Sequence, residues 1–356
     1  MSQFLPKCLP LLIGSLPLQD HMEATELIFD YTPQIPLWPQ LPVYKDEGMI
    51  LQYVPGLPGL TKANGKIFID TDSITFESEL LAFYEEYLMI TEGIAPLDES
   101  RFVLSQEVAK GFYTFLAEAE KRKENLVGLK GQTTGPITFC TGLVDQAGRA
   151  IFYNDQLRDA AVKHLAMKAK WQTSKMAAIG AAQPIMFFDE PGLAGLGSSA
   201  FITITNDEIV ACLSEVFEAV RVENGLTGVH VCANTEWSVL FDSGVDIVSY
   251  DAYSYFDKLI LYSDHLVKYF SQGGILATGI VPTAPEFIDI ESVDSLVEKW
   301  FEQSRQLQAI GIHEKTVYNQ TLITPSCGTG AVSVDQAQKV LALTKGVSEK
   351  IQEFYS

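Results

Sequence analysis

Pro184-Ile185-Met186-Phe187-Phe188-Asp189-Glu190-Pro191 is a short apolar run that ends abruptly in two acids and a proline. The run is too short for a buried helix and reads as a β-strand buried on both faces, closed by a turn. The same pattern repeats on either side of it. Leu126 to Gln132 leads into Thr134-Gly135-Pro136, and Gly228 to Val231 leads into Cys232-Ala233-Asn234. Asp246 to Tyr250 ends at Asp251, Ile275 to Gly279 at Ile280-Val281-Pro282, and Thr321 to Thr324 at Pro325-Ser326-Cys327-Gly328. Between these runs, residues 155–179, 207–223, 256–270, 292–309 and 333–353 place apolar side chains at helical spacing. Strand and helix in strict alternation predict a parallel sheet wrapped by helices.

Leu9 to Ile13, before Gly14-Ser15, supplies a seventh strand, and Lys66 to Asp70 is the candidate for an eighth. The expectation is a single (β/α)8 TIM barrel over residues 1–356, with an extended proline-rich segment at 33–65 packed on it. Pro33, Pro36, Pro39 and Pro42 recur every third position, which no helix accepts, while Trp38, Tyr44 and Tyr53 call for packing. Every polar or glycine-bearing signature lies at the C-terminal end of its strand, the rim where such barrels place their active sites.

The 356 residues, 47% of them hydrophobic, bury a sizeable core. With 25 basic and 45 acidic residues the formal charge is −20, which repels a phosphate backbone and offers no basic stretch to a membrane. Nucleic acid and membrane are therefore not expected partners. Five widely spaced cysteines fit a reducing compartment rather than a disulfide scaffold, and the interrupted apolar start, Met1 to Pro17, is no signal-peptide core, so the expected location is cytoplasmic.

His230 and Cys232 stand two apart on a strand and so share a face. Cys327 arrives from the last strand end in a Pro-Ser-Cys-Gly-Thr-Gly turn, where amides preceding a helix favour thiolate. Two thiolates and a neutral imidazole suit zinc, and three protein ligands leave a position for substrate. Cys8 and Cys212 read as packing, as does Cys140. His21, His164, His265 and His313 read as solvent or helix-end residues.

Taken together, Ile13-Gly14-Ser15, Thr134-Gly135-Pro136-Ile137-Thr138, Asp189-Glu190-Pro191, His230-Val231-Cys232, Asp246 to Asp251 and Pro325-Ser326-Cys327-Gly328 resemble a known family. It is the C-terminal catalytic barrel of cobalamin-independent methionine synthase, within the superfamily that includes uroporphyrinogen decarboxylase and methylcobamide:coenzyme M methyltransferases. The resemblance implies that His230, Cys232 and Cys327 bind zinc, with Asp251 in the place of a fourth, carboxylate ligand. It further implies that Ile13, Gly14 and Ser15 hold the carboxylate of homocysteine and that Asp189 pairs with its amino group. Asn234 is expected to orient a metal ligand.

Departures from the family bear on the methyl donor. Thr141 stands where the folate-using enzymes place a tryptophan, Gly195 where they carry a glutamate, and Ile280 near their proton-donating histidine. No counterpart of their N-terminal half is expected, and the loop from Gly192 to Ser199 is glycine-rich and uncharged. A stand-alone methionine synthase that takes its methyl group from a methylated corrinoid on a separate corrinoid protein is the expected function. Transfer to another thiol such as coenzyme M, or a noncatalytic zinc or corrinoid-protein scaffold, are the alternatives.

Overall fold

The computed structural model describes residues 4–196 and 203–356; Gly197 to Ser199 of the glycine-rich loop lie outside them. Two short strands, β1 (Leu60–Ala63) and β2 (Lys66–Ile69), form an antiparallel hairpin. A separate sheet carries β3 (Gly128–Thr134), β4 (Gln183–Asp189), β5 (Leu226–Val231), β6 (Ile247–Tyr250), β7 (Ile275–Val281) and β8 (Thr321–Pro325). These six pair in sequence order, all parallel. Helices lie between successive strands, among them Asp155–Ala177, Asn206–Arg221 and Val293–Ala309, and a last one, Val334–Tyr355, follows β8. Each of these four opens on a side-chain cap, from Asn154, Thr205, Ser292 and Ser333. The stretch expected as one helix over 256–270 is two, Ala252–Leu259 and Ser263–Ser271.

The expectation of eight regular strands is corrected. Lys66 to Asp70 does not join the large sheet, because Lys66–Ile69 is spent on the hairpin with β1. Leu9 to Ile13 is not a regular strand either. It meets β8 through one parallel bridge, Pro10 to Ile323, supported by Leu11 N–H donating to Ile323 O and Ile323 N–H donating to Leu9 O. At the opposite edge the proline-rich segment bridges β3 once, Leu37 to Lys130, and Pro36 O accepts from Lys130 N–H. Prolines explain the irregularity: Pro36 and Pro39 have no N–H to continue a ladder. The two segments also bridge each other at Ser15 and Gln40.

Within the proline-rich segment Ile35, Leu37, Trp38, Leu41 and Tyr53 are fully buried, whereas Tyr44, expected to pack, is exposed. Trp38 Nε1 donates to Gln172 Oε1 at 3.0 Å, satisfying the polar end of a buried indole. Leu9, Leu11, Ile35, Ile185, Phe187 and Ile247 form a closed apolar cluster beneath the strand ends. Among the described residues no helix is long and apolar enough to cross a membrane.

Candidate metal centre

On β5 the alternation of side chains turns Val231 outward into the large core and leaves His230 and Cys232 on the inner face. Cys327 follows the end of β8. One ligand atom from each of His230, Cys232 and Cys327 lies within 4.8 Å of the other two. Residues far apart in sequence thus meet at one point.

The imidazole is prepared for ligation. Its Nδ1 lies 3.0 Å from Ser249 Oγ, while Nε2 is buried and has no partner among the described residues. Burial, aided by the charge of Lys130, lowers the pKa of His230 to about 3, so the ring is neutral and carries a lone pair. Of the two sulfurs, Cys232 is the easier to ionise: a hydrogen bond from Cys327 lowers its pKa to about 7. Cys327 is shifted upward by the same bond and by burial. The Gly328 amide of the turn does pull Cys327 towards thiolate, but the bond with Cys232 and burial outweigh it, and the next helix begins only at Val334. The two sulfurs are hydrogen-bonded to each other, and ligation would release the thiol protons. An unpartnered buried nitrogen beside two sulfurs fits zinc, and soft donors disfavour magnesium or calcium.

These residues form the wall of a cavity of about 220 Å3 that also touches Asp189, Gly14 and Ser15. Asp189 Oδ1 is buried without a partner, and burial raises its carboxyl pKa to about 6 against the opposing pull of Lys130. Glu47 is the other carboxylate on the wall, but both its oxygens are engaged, by His21 Nε2 at 2.6 Å and by Leu41 N–H at 2.8 Å. Among the described residues no lysine or arginine lines the cavity.

Other residues fall elsewhere. Asp251 caps the helix Ala252–Leu259 by accepting from Ser254 N–H at 2.9 Å, and it is not in the ligand group. Asn234 Oδ1 accepts from Trp237 Nε1 at 3.2 Å; the side chain that touches a ligand is Ser249. Cys8, Cys140 and Cys212 are buried away from the ligand group. His21 and His164 are not solvent residues: His21 pairs with Glu47, and His164 is bonded to Tyr53 O at 2.9 Å.

Glu190, quoted in the sequence only as part of a motif, has a defined role. Its carboxylate accepts from Ile137 N–H at 2.8 Å, Thr138 N–H at 2.7 Å and Thr138 Oγ1 at 2.6 Å, tying β4 to the helix Pro136–Gly142. A Cβ on residue 135 would stand 2.2 Å from Glu190 Cδ, which is why glycine precedes Pro136.

No protein-family model matches the chain, and no curated protein matches it. Among solved structures, a B12-independent methionine synthase from Shewanella sp. W3-18-1 in complex with selenomethionine is 18% identical, with a TM-score of 0.47, over 68% of this chain and 67% of that one. A methyltransferase from Methanosarcina mazei is 14% identical, with a TM-score of 0.49, over 99% of each chain. At such values neither likeness bears on chemistry, which rests on the residues themselves.

Proposed function

We propose that this chain is a zinc-dependent methyltransferase that methylates the thiol of homocysteine to give methionine, with a methylated corrinoid, presented by a corrinoid protein, as donor. The observation that carries the reading is the meeting of an unpartnered imidazole nitrogen and two cysteine sulfurs on the wall of one cavity. His230, Cys232 and Cys327 would hold the metal. Zinc bound there would lower the pKa of an incoming thiol, so that thiolate would persist at neutral pH. We read the architecture as a (β/α)8 barrel whose first two strands, at Leu9 to Ile13 and along the proline-rich segment, are reduced to single bridges.

The chain's own side chains account for the acceptor. Asp189 has a buried oxygen with no partner, which an ammonium group would satisfy. Gly14 and Ser15 face the same space and supply the carboxylate end. The absence of lysine and arginine from the wall favours an amine-bearing thiol over a sulfonate such as coenzyme M. About 220 Å3 is below the roughly 300–1,000 Å3 of clefts for larger ligands, which suits a small amino acid. Ile280 is fully buried and offers no proton, so a donor whose leaving group needs none is favoured over a folate.

The test is a donor panel. Zinc-loaded protein is incubated with homocysteine and, separately, methylcobalamin, a methylated corrinoid protein or methyltetrahydrofolate, and methionine is measured. Product is expected from the corrinoids and is abolished by a chelator. Methionine from the folate alone overturns the donor, and chelator-resistant turnover overturns the metal.

A further inference from the structure

Lys130 is fully buried on β3, directly behind the cavity wall but not part of it. Its Nζ donates to Ile13 O at 2.5 Å, approaches Gln132 Oε1 at 3.4 Å and stands 4.6 Å from the centre of the Phe187 ring. Burying an ammonium is costly unless its protons are used, and the strongest use here is the grip on one backbone carbonyl. No peptide in the described chain is cis, so the N–H of the Ile13–Gly14 peptide points opposite to its C=O. With the carbonyl turned towards Lys130, the Gly14 N–H is turned away from it and finds no acceptor among the described residues. The neighbouring carbonyls are fixed by other partners: Gly14 O accepts from Gln40 N–H at 3.1 Å, and Ser15 O from Thr329 N–H at 3.0 Å. The N–H groups of Gly14 and Ser15 thus both lack an acceptor among the described residues, and the first belongs to the peptide that Lys130 holds.

We propose that Lys130 is a positioning residue for carboxylate recognition: by gripping the Ile13 carbonyl it aims the Gly14 amide into the cavity, at the carboxylate of an amine-bearing thiol. The proposal rests on the thiol reading of the cavity. A cation on the carbonyl also polarises the peptide, which strengthens its N–H as a donor. Methionine at this position fills similar space but cannot hold the carbonyl.

The test compares two ligands that differ only in the carboxylate, homocysteine and 3-aminopropane-1-thiol, by calorimetric titration of zinc-loaded wild type, Lys130→Met and Lys130→Arg. The Met variant is expected to bind homocysteine about tenfold more weakly and the amine thiol within about twofold of wild type, with part of the loss recovered in the Arg variant. Equal loss for both ligands overturns the proposal, since the charge would then act through Asp189; so does loss for neither. Wild type that binds neither thiol overturns the thiol reading and this inference with it. A measurement on wild type alone guards against a misfolded variant: the Gly14 amide resonance is expected to move with homocysteine and not with 3-aminopropane-1-thiol. A resonance indifferent to the carboxylate overturns the proposal.

Discussion

At the scale of single residues, the site is decided by what each donor atom already touches. His230 has one nitrogen occupied by Ser249 and the other empty, an asymmetry it shares with His21 and His164; what sets it apart is that the sulfurs of Cys232 and Cys327 lie within 4.8 Å. Ser249 is in register with His230 across β5 and β6, so its hydroxyl is delivered by strand pairing. Ser249→Ala is expected to weaken zinc binding roughly 10- to 100-fold in competition with a chromophoric chelator, with the thermal midpoint little changed. Wild-type affinity in the variant would show that the hydroxyl does not orient the ring. The pair His230 and Cys232 was legible in the sequence because a two-residue spacing fixes a shared face. Ser249 was not, because its neighbour is set by register with another strand, and Asn234, adjacent in sequence, drew the assignment.

Among elements, the interlock of β4 with the helix Pro136–Gly142 brings two sequence motifs into one structure. Burial pushes the Glu190 carboxyl up to about 7 from 4.5, against the hydrogen bonds from Thr138 and Ile137. Its folded pKa lies above its unfolded one, so between those values the folded chain keeps a proton that the unfolded chain has lost. The stability this contributes is full below pH 4.5 and is lost as pH rises through about 7. Urea melts of wild type and Glu190→Gln, compared at about pH 5 and about pH 8, are therefore expected to show wild type losing on the order of 1–3 kcal/mol relative to the variant as pH rises. A pH-independent difference would mean that the buried carboxyl holds the same charge in both states. The six parallel strands were legible because each is a short apolar run with a polar end. The hairpin carried its own signal, Asn64-Gly65 with both residues at positive φ, which marks a two-residue turn and removes Lys66 to Asp70 from the large sheet.

At the scale of the molecule, the site needs both ends of the chain, since Gly14 and Ser15 precede the first helix while Cys327 follows the last strand. The segments that bring the N-terminal residues there are also the ones that bridge the edges of β3 and β8. Their role was hidden in the sequence because proline breaks the alternating ladder by which strands are recognised, although the burial of Trp38 and Leu41 was foreshadowed by the apolar residues between the prolines. Deleting residues 1–42 would leave N–H and C=O groups of both edge strands unpaired and open the core beneath Trp38. The truncated chain is expected to lose its cooperative calorimetric transition and its zinc binding together, and to aggregate through the freed edges. A monomeric truncated chain that still melts cooperatively would show that the six strands and their helices stand alone, leaving the N-terminal segments a part in building the site but none in closing the sheet.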